Sequence, residues 1–111
     1  MMQIHLSQKK CVACEGDVPT LTREQSTVFG NEVPAWAIAD DNLSISHEFT
    51  FKDFKEALAF TNNVGAIAEV EGHHPDINIH SYKKVRITLS THAIGGLSEN
   101  DFILASKIDL L

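Results

Sequence analysis

Two pairs of segments with period-two alternation, each joined by a short turn, constrain the fold of this chain most. In the first pair, residues 36–39 and 43–49 flank an Asp-Asp-Asn turn, and apolar side chains in the second segment alternate with polar ones. In the second pair, residues 77–80 and 85–89 flank a turn near Ser81-Tyr82-Lys83. Such alternation is typical of strands with one buried face, and a short turn between two of them indicates a hairpin. The sequence therefore predicts four strands in two antiparallel hairpins.

Three capping signals predict three helices around these hairpins, because each pairs a hydroxyl residue with an acid or amide three positions later. The signals are Thr22-x-x-Gln25, Thr50-x-x-Asp53 and Ser98-x-x-Asp101. We expect the first helix to end near Gly30 and the second to run to about Glu71, where Gly72 stops it. The order helix, two strands, helix, two strands, helix predicts an α+β fold: a four-stranded antiparallel sheet with its helices packed on one face.

The length of 111 residues allows one compact domain. Residues 1–19 have little apolar periodicity and are predicted to be a loosely ordered leader, which carries Cys11-x-x-Cys14. Residues 20–111 are predicted to form the folded domain. An open face or edge of its sheet would favour self-association.

The charge balance argues against two classes of partner. Nine basic residues against fifteen acidic ones give a formal charge of −6, and the basic residues form no long run. Because nucleic acids and anionic lipids attract clustered basic residues, we expect neither direct nucleic-acid binding nor membrane binding. No apolar stretch approaches the roughly 20 residues of a membrane span, and the first residues lack a secretory apolar region. With only two cysteines, the sequence favours a reducing, cytoplasmic location.

Three of the six histidines flank the second hairpin. His73 and His74 precede its first strand, and His92 follows its second strand. Because two antiparallel strands return the chain to the end where it began, we expect these three imidazoles to share one pocket. An imidazole gives or takes a proton near neutral pH, so the cluster is a candidate for general acid/base catalysis. The other three histidines are expected to be solvated or to find local partners: His5, His47 and His80.

Two other interpretations of the histidines remain open. The His73-His74 pair alone is compatible with a polar loop end that has no catalytic role. Zinc is the other alternative, with three neutral imidazoles, an open fourth position and His80 as a further ligand. Against zinc, no His-x-His or His-x-x-x-His pair is near, and adjacent residues rarely point at one ion when one begins a strand. Cys11-x-x-Cys14 lacks the second pair of a strong zinc signal, so no metal is predicted.

A longer pattern surrounds the histidines. Glu69 stands four residues before His73, His73-His74-Pro75 follow, Tyr82 is reached after six residues, His92 after nine more and Asp101 after eight. This pattern resembles the signature of the pterin-4a-carbinolamine dehydratase family, whose members are also called 4a-hydroxytetrahydrobiopterin dehydratases. The resemblance covers roughly residues 20 to 109, and bacterial-type members share the Cys-x-x-Cys leader.

The resemblance implies a reaction and a set of site residues. The reaction is dehydration of a 4a-hydroxytetrahydropterin to the quinonoid dihydropterin, which recycles the pterin used by aromatic amino-acid hydroxylases, and the family needs no metal or organic cofactor. By position, His73 and His92 are the implied acid/base histidines, and His74 is a pterin-binding one that supports catalysis. Glu69 would orient the cluster, and Asp101 would fix its geometry. The other implied substrate-binding residues are Pro75, Thr91, Ala93 and Ile94.

Two further classes of function stay open. Vertebrate members of the family also stabilise the dimer of a homeodomain transcription factor, so a non-enzymic or dual-function partner role is the main alternative. Zinc-dependent hydrolysis is the third hypothesis. Family members are commonly tetramers built as dimers of dimers, and the resemblance implies a homodimer or homotetramer here.

Overall fold

A computed structural model describes residues 5–12 and 19–111 of the chain. Its α-helices are α1 (Arg23–Gly30), α2 (Phe54–Glu71) and α3 (Glu99–Ile108). Its strands are β1 (Ala37–Ile38), β2 (Ile45–Thr50), β3 (Asp76–His80) and β4 (Lys84–Leu89). Short 3-10 turns occupy Leu6–Gln8 and His92–Ile94. From α1 to α3, the order of helices and strands is the predicted one.

The four strands form one antiparallel sheet in the order β1-β2-β4-β3. Its outer pairs are the two predicted hairpins, and Ser81 and Tyr82 in the second turn have positive φ angles of 51° and 53°. These two left-handed residues and Lys83 reverse the chain between the paired His80 and Lys84. The central pairing joins β2 to β4, from Ile45 opposite Leu89 to Thr50 opposite Lys84. The predicted α+β fold with a four-stranded antiparallel sheet is confirmed.

The hydrophobic core lies between one face of the sheet and the helices. Val85, Ile87 and Leu89 alternate along β4 and are fully buried. They belong to one cluster with buried residues of the helices, among them Val64 of α2 and Phe102 of α3. The helices therefore cover one face of the sheet, as predicted.

The opposite face of the sheet carries polar side chains. On this face the Nε2 atom of His80 lies 2.5 Å from Oε1 of Glu48, and the Nε atom of Arg86 lies 3.8 Å from the same oxygen. The hydrogen bond with His80 lowers the pKa of the Glu48 carboxyl. His80 thus has the local partner that the sequence predicted.

Two of the three predicted helix starts are confirmed. Capping boxes with both reciprocal hydrogen bonds begin α1 at Thr22 and α3 at Ser98. The prediction that Thr50 opens α2 is wrong: Asp53 is the N-cap, and Thr50 is the last residue of β2, paired with Lys84. Pairing with β4 satisfies the backbone there, so the strand overrides the local helix signal. No helix in the described part of the chain is long and apolar enough to cross a membrane.

Residues 5–12 run along α3. Leu6 is 1% exposed and belongs to the core cluster. The Lys107 ammonium donates to the carbonyl oxygen of Ser7 at 3.1 Å, and the Lys9 ammonium lies 2.6 Å from the Glu99 carboxylate. Of the predicted leader, residues 1–4 and 13–18, including Cys14, lie outside the described residues, and the domain boundary near residue 19 stays a prediction.

Candidate active site

The two ends of the β3–β4 hairpin bring the three predicted histidines to one cavity. Gly72 ends α2 in the left-handed conformation, with φ 66°, and His73 and His74 follow directly. His92 begins the 3-10 turn after β4. The cavity has a volume of about 350 Å³. Its lining residues in the described chain are Val12, Gly72, His73, His74, Ser90, Thr91, His92, Ala93 and Asn100.

A buried carboxylate anchors His73. The Nε2 atom of His73 lies 2.6 Å from Oδ1 of Asp101, a residue that is 0% exposed. The second oxygen, Oδ2, accepts hydrogen bonds from the Thr91 hydroxyl at 2.8 Å and from the Ser98 backbone N–H at 3.0 Å. The buried carboxyl group therefore has partners on both oxygens: Thr91 and Ser98 on Oδ2, and the His73 ring on Oδ1. An ionised Asp101 requires a proton on Nε2 of His73, and Nδ1 of the neutral ring is then the proton acceptor.

Glu69 contacts His74. Its Oε2 atom lies 2.5 Å from Nε2 of His74, and the two side chains are 77% and 63% exposed. Exposed ion pairs of this kind contribute about 0–1 kcal/mol because water screens them. The pair restrains the orientation of the His74 ring, whereas the buried Asp101 holds His73.

The remaining predicted site residues lie at different depths. Thr91 and Ala93 line the cavity. Pro75 directly follows the histidine pair, Ile94 ends the 3-10 turn, and both are half-buried outside the lining. Asp101 is also outside the lining and reaches the cavity through the side chains of His73 and Thr91.

Four lining residues are absent from the sequence predictions: Val12, Gly72, Ser90 and Asn100. Gly72 and Ser90 adjoin predicted site residues, and Asn100 precedes Asp101, so chain adjacency was a usable signal for these three. Val12 comes from the other end of the chain, in a segment without apolar periodicity; it lies inside Cys11-x-x-Cys14, but that motif indicated no role at the cavity.

No three His, Cys, Asp or Glu side chains among residues 5–12 and 19–111 are grouped as metal ligands would be. His80, the further ligand in the zinc interpretation, is paired with Glu48 on the polar face of the sheet. The described residues therefore give the zinc interpretation no ligand set.

Sequence comparisons match nearly the whole chain to one family. The family model for pterin 4 alpha carbinolamine dehydratase matches residues 19–111. A protein of Aromatoleum aromaticum is 43% identical over 108 residues, which are 97% of this chain and 96% of that protein. A protein of Halorhodospira halophila is 46% identical over 107 residues, 96% of each chain. Both relatives have the provisional name pterin-4-alpha-carbinolamine dehydratase.

Two solved structures share the fold. A transcriptional coactivator/pterin dehydratase from Brucella melitensis matches with a TM-score of 0.76 and 31% identity, over 82% of this chain and 96% of that one. A pterin dehydratase-like protein described as a RuBisCO assembly factor in the alpha-carboxysome matches with a TM-score of 0.58 and 26% identity, over 68% of this chain and 87% of that one. With its sequence, its fold and its relatives in agreement, the chain belongs to the pterin 4 alpha carbinolamine dehydratase family.

Proposed function

We propose that this protein dehydrates a 4a-hydroxytetrahydropterin, giving the quinonoid dihydropterin and water. The observation that carries the proposal is the convergence of His73, His74 and His92 on one cavity, with His73 anchored by the buried Asp101. Family membership supports the same reaction. The cavity volume of about 350 Å³ falls in the range of small-molecule sites and suits a two-ring heterocycle.

The reaction needs one proton delivered and one removed. The C4a–O bond breaks with its electron pair on oxygen, which takes a proton and leaves as water. N5 loses its proton, and the electrons of the N–H bond form the N5=C4a double bond. We assign removal of the N5 proton to His73, because an ionised Asp101 that accepts from Nε2–H makes Nδ1 the proton acceptor of the ring. We assign proton delivery to His92, whose side chain lines the same cavity and is exposed to solvent.

The other residues bind and orient the substrate in this proposal. His74 contacts the pterin and supports catalysis, and Glu69 restrains its ring. Thr91 and Ala93, which line the cavity, contact the ring, and Pro75 and Ile94 are the other residues that we assign to the pterin site. As the family resemblance implies, the proposed reaction uses no metal or organic cofactor, and the pterin is the substrate. We place the enzyme in the cytoplasm as a homodimer or homotetramer that recycles pterin.

Turnover of freshly generated 4a-hydroxytetrahydropterin tests the proposal against the uncatalysed rate. His73→Ala and His92→Ala should each lower kcat by about 10²–10⁴-fold, because general acid or base catalysis contributes that much. His74→Ala should mainly raise KM. His80→Ala is the matched control, since it removes a histidine from the polar face of the sheet, outside the cavity. Equal, uncatalysed rates for the wild type, His73→Ala and His92→Ala would refute the proposed activity.

A partner-binding role, without catalysis or beside it, is the second candidate. The two structural neighbours favour it, because one is described as a transcriptional coactivator and the other as an assembly factor. Complementation of a strain that lacks the gene distinguishes the two roles. If the protein only binds a partner, the His73→Ala and His92→Ala variants should restore growth as well as the wild type does. If it acts as a dehydratase, these variants should not restore growth.

A further inference from the structure

The N-terminal strap, defined as residues 5–12, runs along α3 and reaches the candidate active site. Leu6 is buried in the core, and the strap is tied to α3 through Ser7 and Lys9. Val12, the last described residue of the strap, lines the same cavity as His73, His74 and His92. The cavity therefore has one wall from a segment that lies far from the histidines in sequence.

One buried side chain holds the backbone of Val12. The Val12 N–H donates to Oδ1 of Asn100 at 3.0 Å, and Nδ2 of Asn100 donates to the Val12 carbonyl oxygen at 2.5 Å. Asn100 is 4% exposed and belongs to the first turn of α3. A primary amide that satisfies both backbone groups of one residue fixes its position in the way a neighbouring strand would.

Cys11 adds two further contacts beside Val12. The Cys11 N–H donates to Oε1 of Glu71 at 2.8 Å, and its thiol donates to the Asn100 carbonyl oxygen at 3.6 Å. Glu71 is held in turn by the Lys107 ammonium at 3.6 Å. Consecutive residues of the strap are thus fixed against both α2 and α3 at the cavity.

The side chain of Val12 takes no part in these contacts. It is 71% exposed, although the backbone that carries it is held by a buried amide. A strap that served only to brace α3 would need Leu6 and Lys9 but would gain nothing from an apolar side chain at the cavity. An apolar group held in place beside His73 and His92 is instead suited to cover the face of a bound ring.

We propose that Val12 makes an apolar contact with the bound pterin and that Asn100 is the positioning residue that holds Val12 against it. The proposal rests on the proposed dehydratase function and extends the active site to the N-terminal strap. It makes Val12 a determinant of pterin affinity, while the proton transfers stay with the histidines.

Equilibrium binding of 7,8-dihydrobiopterin and steady-state turnover of 4a-hydroxytetrahydropterin test the contact in the full-length chain. Val12→Ala removes two methyl groups, so Kd and KM should rise about three- to tenfold while kcat stays within about twofold. Val28→Ala is the matched control, because Val28 is 66% exposed on α1, outside the cavity. It should change none of these constants. An unchanged thermal midpoint for Val12→Ala separates the loss of contact from a loss of folding.

A double-mutant cycle tests the role of Asn100. If Asn100 acts by placing Val12, Asn100→Ala should raise KM without lowering kcat, and its effect should vanish in the Val12→Ala background. Additive effects on Kd would overturn the positioning role. Wild-type Kd and KM in Val12→Ala would overturn the contact while leaving the dehydratase proposal intact. Absence of turnover and of pterin binding in the wild type itself would instead refute the proposed function and, with it, this extension.

Discussion

Replacing Asp101 by Asn tests the link between the buried carboxylate and the chemistry of His73. The side chain keeps its shape, but one acceptor edge becomes an NH₂ donor. Oδ2 of Asp101 accepts from both Thr91 and Ser98, so the amide oxygen is expected on that side. The NH₂ group then takes the place of Oδ1, which in the wild type lies 2.6 Å from Nε2 of His73. Nε2 of His73 would then have to accept a hydrogen bond from this NH₂ group, so the ring would carry its proton on Nδ1. This change removes the proposed base.

The magnitude follows from this change of tautomer. Loss of a general base costs about 10²–10⁴ in kcat, and the same Asp→Asn change behind a catalytic histidine lowers kcat by roughly 10⁴ in serine proteases. Hydrogen bonds to a charged group contribute about 1.5–3 kcal/mol, against about 1 kcal/mol for neutral ones. A neutral Asn side chain avoids the cost of burying a carboxylate, which offsets part of this loss. We therefore expect the free energy of unfolding to fall by about 1–3 kcal/mol.

Steady-state turnover across pH, together with urea unfolding, measures both effects. The Asp101→Asn and His73→Ala double variant should turn over no more slowly than His73→Ala alone, because Asp101 acts through His73. Glu48→Gln is the control: it alters a carboxylate that contacts His80 on the polar face of the sheet, outside the cavity, so kcat should stay within about twofold. A folded Asp101→Asn protein with wild-type kcat at every pH would refute the assigned role of His73.

Three further predictions concern other parts of the molecule. Burial, with the nearby Glu71 carboxylate, raises the pKa of the Cys11 thiol to about 12. Because only the thiolate reacts, iodoacetamide at pH 8 should alkylate the native protein roughly 30- to 50-fold more slowly than the urea-unfolded protein, measured with the other cysteine changed to serine. Equal alkylation rates would contradict this prediction. The lowered pKa of Glu48 contributes stability that is present above its ordinary value of 4.5 and is lost as the pH falls through the folded value. The difference in urea midpoint between wild type and Glu48→Gln should therefore shrink from pH 6 to pH 3, and a constant difference would exclude the effect. Gly96→Ala should lower the free energy of unfolding by about 1–3 kcal/mol, because its Cβ would lie 2.7 Å from Cγ2 of Thr20. Gly65→Ala, whose Cβ meets nothing within 4 Å inside α2, should be neutral or stabilising in the same urea assay, so equal losses in both variants would rule out the clash.

The convergence of the histidines could be predicted because it depends on local geometry. Period-two alternation predicted the β3–β4 hairpin, and a hairpin returns the chain to the end where it began, so His92 had to lie near His73 and His74. The capping box at Ser98 likewise predicted the start of α3 and therefore the position of Asp101 in its first turn. Periodicity and caps are short-range signals, and they were sufficient for these parts of the site.

Contacts between distant segments could not be predicted in this way. The pairing of β2 with β4 depends on packing over the core, and it kept Thr50 in a strand despite a local helix signal. The approach of Val12 to Asn100 depends on one side-chain amide that meets two backbone groups. Neither contact leaves a periodic trace in the sequence, since an isolated hydrogen-bonding pair needs no repeat.

The first turn of α3 organises both sides of the cavity, and this explains why a capping residue is also a site residue. Asp101 at the third helical position accepts the backbone N–H of Ser98, as capping requires, but its carboxylate has capacity for further donors. The same carboxylate also contacts the side chains of Thr91 and His73, while the preceding Asn100 is hydrogen-bonded to the backbone of Val12. A helix start is a rigid platform whose side-chain directions are set by the backbone, so adjacent residues can fix two walls whose chain segments are otherwise unrelated. Loosening this turn should therefore disturb the proposed base His73 and the cavity wall at Val12 together, whereas loosening the exposed Glu69–His74 pair should disturb one ring alone.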